Sequence, residues 1–279
     1  MKSNLPDNLW HSRDVPADVQ RELARVAARL GTVGRRMHWL EKTGSTNDVA
    51  ARLAERGAEE GTTVVAELQT AGRGRHGRAW FSPPGAGLYV SVIIRPATHA
   101  VHNNNPAGLL TLAAGVAIAE AVGALTGLPA EIKWPNDVLI GGRKLAGILA
   151  EAVAQAGALQ FVVVGFGVNL QRAAYPPELA PRVTSLEAET NRFADRALVL
   201  AEILASIAER CADLRDGRFD AILSAWRRLA ASLPGAPVEW DSPVGVVRGR
   251  AEDIDGDGAL LVRVGERVER LIAGEVRWI

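Results

Sequence analysis

Two β-branched runs of strand length, TTVVAEL from Thr62 to Leu68 and LYVSVIIR from Leu88 to Arg95, flank a polar loop rich in arginine and glycine. Ahead of them, residues 16–30 repeat at helical spacing, with Leu23, Val26, Ala27 and Leu30 on one face and a stop at Gly31. MHWLEKT then reads as a strand. Ser45, Thr46, Asn47 and Asp48 offer N-caps for a helix from Val49 to Arg56, closed by Gly57. The longest apolar run starts at Pro106 and predicts a helix over 106–126. It carries Glu120 and several glycines among Ala, Leu and Val, which favours a buried core helix over a membrane span.

Further strands are predicted at Glu131 to Trp134, Ala146 to Val153 and Phe161 to Val168. Val138–Ile140 and Lys144–Ile148 straddle Gly141-Gly142-Arg143, the pattern of a tight hairpin. Amphipathic helices follow at about Asp195 to Leu214 and Phe219 to Leu229. Antiparallel hairpins with helices gathered to one side predict an α+β fold with a mixed, mostly antiparallel sheet.

Leu233-Pro234-Gly235-Ala236-Pro237 is the clearest boundary. Short strands beyond it, at Pro237–Trp240, Val244–Glu252, Leu260–Val264, Val268–Leu271 and Glu275–Trp278, predict a small SH3-like barrel. The expected organisation is a short helical segment at 1–35, a main domain at 36–232 and the barrel at 233–279.

Composition narrows the function classes. Lys plus Arg equals Asp plus Glu at 32 each in 279 residues, so no global field draws the chain to nucleic acid or anionic lipid. The one cysteine, Cys211, excludes an internal disulfide or a multi-cysteine zinc site. The five histidines show no metal-ligand spacing, so no built-in metal is expected. The N-terminal stretch has no apolar signal region, and the chain reads as cytoplasmic.

Four clusters could carry chemistry. Gly72-Arg73-Gly74-Arg75-His76-Gly77-Arg78 matches a dinucleotide fingerprint literally, but Pro83 and Pro84 follow where that motif opens a helix. What remains is a glycine-rich cationic loop, suited to phosphate, or else a solvated basic loop or a nucleic-acid contact. Lys133-Trp134-Pro135-Asn136-Asp137 sets Asn and Asp on a rigid turn, with Lys144 on the return strand. Turn chemistry alone would also account for that pattern. Gly165-Phe166-Gly167-Val168-Asn169 puts glycines inside an apolar strand, a sign of close ligand approach or of a bulge. Gly44-Ser45-Thr46-Asn47 is a capped helix start or a cradle for a polar ligand head. No P-loop is present, so any ATP is held without one.

In this order, and with Gln69-Thr70-Ala71, Trp80 and Arg143-Lys144-Leu145-Ala146-Gly147-Ile148, the clusters closely resemble the biotin–protein ligases over residues 36 to 230. The resemblance implies a class II synthetase-like catalytic domain followed by the family's small barrel. It implies that biotin and ATP, with Mg²⁺, give biotinyl-5′-AMP, and that biotin then passes to one lysine of a biotin carboxyl carrier protein. Carried over, Ser45, Thr46, Asn47, Gln69, Arg73, Gly74, Arg75, Lys144 and Gly147 line the biotin site. Arg78, Trp80, Asn136 and Asn169 take the ATP or adenylate side, and Lys144, Arg75 and Asp137 are the catalytic set. The cationic loop is expected to be mobile until the adenylate orders it.

Two departures stand out. His76 replaces a basic residue common in relatives, and the stretch before the ligase core holds one amphipathic helix instead of a winged helix-turn-helix. The resemblance therefore predicts a ligase without repressor activity, binding neither nucleic acid nor membrane; monomer and homodimer both remain open. The nearest rival is a lipoate–protein ligase or octanoyl transferase of similar fold, against which the loop and the KWPND hairpin favour biotin. More distant rivals are a non-catalytic sensing module and a DNA-binding regulator.

Overall fold

The computed structural model describes residues 12–95, 105–155, 158–173, 175–230, 232–243, 245–272, 274 and 276–279. The N-terminal stretch 1–11 and two predicted strand starts, Val244 and Glu275, lie outside them. Among the described residues the strands form two sheets. The large one runs β1(Ser12–Arg13), β2(Met37–Leu40), β3(Thr63–Ala66), β4(Gly87–Ile94), β8(Ala158–Asn169), β7(Arg143–Gln155), β6(Asp137–Ile140), β5(Ala130–Lys133), in spatial order. Every neighbouring pair is antiparallel except β2 with β3. Its helices are α1(Ala17–Arg25), α2(Thr46–Glu55), α3(Pro106–Thr126), α4(Leu186–Thr190), α5(Arg196–Arg215) and α6(Phe219–Leu229). The expected α+β class holds.

Strand alternation sorts the two faces of this sheet. On β8, Val162, Val164, Phe166 and Val168 enter the main core with α3, α5 and α6, while Phe161 and Val163 join a smaller cluster with Val49, Ala50 and Ala54 of α2. The same period leaves Gly165 and Gly167 on the α2 side, so that face is lined by backbone at the middle of the sheet. Helix α3 is long and apolar enough to cross a membrane, yet it is buried on both flanks by the fold and is its core helix. Asn105 caps it by accepting from Gly108 N at 3.0 Å, and Gly127, at φ +72°, ends it.

Three boundaries differ from the expected ones for tertiary reasons. The helix predicted over 16–30 stops at Arg25, and successive tight turns bring Gly34 N–H onto Gly61 O at 3.0 Å. Val26 and Leu30 still reach the core, but Ala27 is exposed. The helix expected from Val49 starts at Thr46, because its first N–H is capped from a distant segment: Thr46 N donates to Gln69 Oε1 at 2.8 Å. The hairpin return strand and the strand from Ala146 are one 13-residue strand, β7.

The small sheet holds β9(Pro237–Ser242), β10(Gly245–Ile254), β11(Leu260–Val264), β12(Arg267–Leu271) and β13(Val276–Trp278), in the order β12-β11-β10-β9-β13, all antiparallel. It is the SH3-like unit the short strands predict. It docks beside β5: buried Trp134 donates through Nε1 to Gly258 O at 3.0 Å, and Arg227 of α6 reaches Asp253 at 2.7 Å.

Candidate active site

Glycines hollow out the sheet where the site lies. Register aligns Asp137 of β6, Gly147 of β7, Gly167 of β8 and Tyr89 of β4 in one row, and Leu149, Gly165 and Ser91 in the next toward α2. A Cβ on Gly167 would stand 2.3 Å from Trp80 Cε2, and one on Gly147 2.9 Å from Trp80 Cζ3. A Cβ on Gly165 would stand 2.0 Å from Asn47 Oδ1. The strand glycines thus mark close approach and not bulges: β8 pairs in continuous register with β4 through them.

On the α2 side of this trough lies a buried neutral cradle. Ser45, Thr46, Asn47, Ser82 and Ser91 are all buried. Thr46 Oγ1 and N both donate to Gln69 Oε1, at 3.1 and 2.8 Å, and Gln69 Nε2 donates to Ser82 Oγ at 3.1 Å. Ser91 Oγ is 2.6 Å from Asn47 Oδ1 and 2.8 Å from Thr46 Oγ1. Asn47 Nδ2 donates to Glu151 Oε2 at 2.6 Å and to Leu149 O at 3.3 Å. With Gln69 capping α2, the N-cap residue Ser45 makes no side-chain cap bond of its own.

Across the trough, charges gather. Lys144 Nζ is 2.6 Å from Asp137 Oδ1 and 5.3 Å from the Trp80 ring centroid. Arg75 and Lys133 both feel the Asp137 carboxylate. Burial lowers each from its ordinary pKa, Asp137 opposes that shift, and Lys144 deepens it for Lys133. Lys133 Nζ also sits 5.7 Å from the Trp278 ring of the small sheet. Trp80 Nε1 is buried and has no hydrogen-bond partner in the described structure. An unpaired buried donor costs about 1–3 kcal/mol, so it marks a place where a ligand acceptor fits.

The cationic loop is a closed hairpin. Trp80 N donates to Gly72 O at 2.8 Å, Gly74 N to Arg78 O at 2.7 Å, and Arg78 N to Arg75 O at 3.2 Å. His76 (φ +54°) and Gly77 (φ +73°) take left-handed conformations at the tip. A side chain at Gly72 would meet Trp80 O at 2.7 Å, which explains that glycine. Arg73 is anchored by carboxylates, Asp48 at 2.9 Å and Glu151 at 2.8 Å. Arg78 is exposed. Arg75 instead lines a cavity of about 150 Å³ with Trp134, Pro135 and the start of α3.

Asn136 and Asn169 are both pinned to backbone. Asn136 Nδ2 donates to Ile148 O at 2.9 Å, and Asn169 Nδ2 to Thr184 O at 2.9 Å. Each fixes a turn beside the trough. The structure therefore brings together Ser45, Thr46, Asn47, Gln69 and Arg73 around the cradle, and Lys144, Asp137, Gly147, Arg75 and Trp80 around the charges. Ser82, Ser91 and Glu151 join them without having been singled out, as does Lys133, which was named in its cluster but given no role. A single polar residue inside an apolar strand was the available signal for Ser91 and Glu151.

Residues 39–169 match the Biotin/lipoate A/B protein ligase family, and residues 236–277 match the Biotin protein ligase C terminal domain. The biotin--[acetyl-CoA-carboxylase] ligase of Mycobacterium tuberculosis is 39% identical over 262 residues, 92% of this chain and 94% of that protein. The bifunctional ligase/repressor BirA of Bacillus spizizenii is 33% identical over 94% of this chain and 79% of its own length. Among solved structures, the biotin protein ligase of Aquifex aeolicus in complex with biotin and ATP superposes with a TM-score of 0.75 at 29% identity, covering 88% of this chain and all of that one. Fold and these similarities together define a ligase of the acyl-to-protein class. The chain belongs to the biotin/lipoate A/B protein ligase family, as a biotin protein ligase.

Proposed function

We propose that this enzyme adenylates biotin with ATP and passes it to one lysine of a biotin carboxyl carrier protein, without acting as a repressor. One observation carries the reading: a neutral hydrogen-bonding cradle and a cluster of three cations lie on opposite sides of one glycine-lined trough. A ureido head group needs the first, and a carboxylate meeting a polyphosphate needs the second.

In the first step a biotin carboxylate oxygen attacks the α-phosphorus of ATP, the bond to the bridging oxygen breaks, and pyrophosphate leaves. Repulsion between the two anions is the obstacle, and fixed cations at the transferring oxygens are the strongest remedy. Lys144, held at 2.6 Å by Asp137, supplies one such charge at a set position, and Arg75 a second. Orphan Trp80 Nε1–H, above Gly147 and Gly167, suits an acceptor on the adenylate. Asn136 and Asn169 shape this end by fixing its turns.

Among the described residues no group of three or more His, Cys, Asp or Glu side chains is placed to cage a metal, and Asp137 is already paired. Mg²⁺ would be held by the nucleotide phosphates and water, where it offsets the charge of departing pyrophosphate.

In the second step the carrier's lysine amine attacks the acyl carbon, the acyl–phosphate bond breaks, AMP leaves, and the amine's proton passes to water. Asp137 serves here by holding Lys144 and orienting the amine, and the loop over 72–80 closes on the adenylate to exclude water. We read 36–232 as the catalytic unit and 233–279 as its barrel, supported by the two family matches on either side of Leu233. A cytoplasmic location and no operator binding complete the reading, the latter supported by zero net charge. The test is incubation with ATP, Mg²⁺ and a biotin carrier domain, offering biotin, lipoate or octanoate. Biotin on a single lysine is expected; transfer of lipoate or octanoate alone would overturn the assignment.

A further inference from the structure

Glu151 sits in β7 opposite Val163, a charged residue in a stretch where its cross-strand partners are apolar. Its carboxylate touches both halves of the cradle. Oε2 accepts from Asn47 Nδ2 at 2.6 Å and from Arg73 at 2.8 Å, so one oxygen joins the buried start of α2 to the cationic loop. Arg73 also reaches Asp48 at 2.9 Å, one residue beyond Asn47.

The direction of the hydrogen-bond chain depends on this group. A carboxylate only accepts, so it fixes which end of the Asn47 amide is nitrogen. The Asn47 oxygen is then left to accept from Ser91 at 2.6 Å. In a separate line the Thr46 hydroxyl and N–H donate to Gln69 Oε1, Gln69 Nε2 to Ser82, and the Ser82 hydroxyl to Trp80 O at 3.2 Å. Ser91 spends its single proton on Asn47, so the order set by Glu151 ends at Ser91, and the second line, from Thr46 to the backbone beneath Trp80, is set by the Thr46 N–H on Gln69 Oε1. A cradle that must match a ligand with both donors and acceptors needs one orientation of its own groups, not two.

We infer that Glu151 is a positioning residue: it sets the polarity of the Asn47–Ser91 side of the cradle and docks the loop over that cradle through Arg73. This rests on the reading of the cradle as the biotin site. Replacing the carboxylate by an amide keeps the shape but leaves the Asn47 amide oriented by the longer bond to Leu149 O at 3.3 Å, and weakens the charge-assisted bond to Arg73.

The test is biotin affinity by calorimetry, with steady-state kinetics and melting temperature, for wild type, Glu151→Gln, Arg73→Gln and the double variant. Glu151→Gln should raise the Kd and KM for biotin about tenfold, the loss expected when a charged hydrogen bond is removed. The KM for ATP and the melting temperature should stay at wild-type values. Adding Glu151→Gln to Arg73→Gln should cost less than it does alone, because the two share one contact. Unchanged biotin affinity in Glu151→Gln overturns the inference, and so does a parallel rise of both KM values with a fall in melting temperature. A wild type that binds no biotin overturns the underlying reading and this inference with it, whereas normal wild-type binding isolates the inference.

Discussion

A methyl group at position 167 would lie 2.3 Å from the Trp80 indole, and Gly167 pairs with Gly147 directly beneath it. Gly167→Ala should therefore displace Trp80 from the trough and cost about 1–3 kcal/mol of stability, as overpacking does. Thermal melting and intrinsic tryptophan fluorescence would show this, and an unshifted Trp80 signal would contradict it. His38 poses a second residue-level question. Burial in β2 lowers its pKa from the ordinary 6.5. The unfolded chain thus takes up a proton first as pH falls, and stability is lost from about pH 6.5 downward until the folded ring also protonates. The wild type should lose more melting temperature between pH 7.5 and 5.5 than His38→Gln does; parallel curves would contradict the assignment.

Among the elements, those with a strong period or strong punctuation were readable in the sequence: β4, β8, α3, α5 and α6 lie within a few residues of their expected bounds. Helix α1 ended early and α2 began early for reasons lying far along the chain, a turn onto Gly61 and a cap from Gln69. No local pattern carries such information. The same contrast holds in the site. Motif residues such as Lys144 and Gln69 were expected through the family resemblance, whereas Glu151 and Ser91 stand beside Asn47 because register sets them there. Arg73 was expected on the biotin side, and its anchoring carboxylates, Asp48 and Glu151, sit on α2 and β7, far from it in sequence.

On the scale of the whole molecule, the barrel is joined to the strand that leads into Asn136 and Asp137. Trp134 bonds Gly258, and Lys133 stands over Trp278. Trp134→Phe would leave the Gly258 carbonyl buried without this donor, a cost of about 1–3 kcal/mol. Limited proteolysis should then cut near Leu233 sooner than in the wild type; identical digestion would show that the contact does not hold the two sheets together. With 32 charges of each sign, the protein has no net charge, and the proposed chemistry rests on cations concentrated locally around Asp137. Biotin-dependent exchange of labelled pyrophosphate into ATP, comparing wild type with Lys144→Ala, tests that most directly. The account predicts exchange that requires biotin and falls at least about a hundredfold in the variant, the scale of losing one aimed charge. Exchange undiminished in folded Lys144→Ala would contradict it.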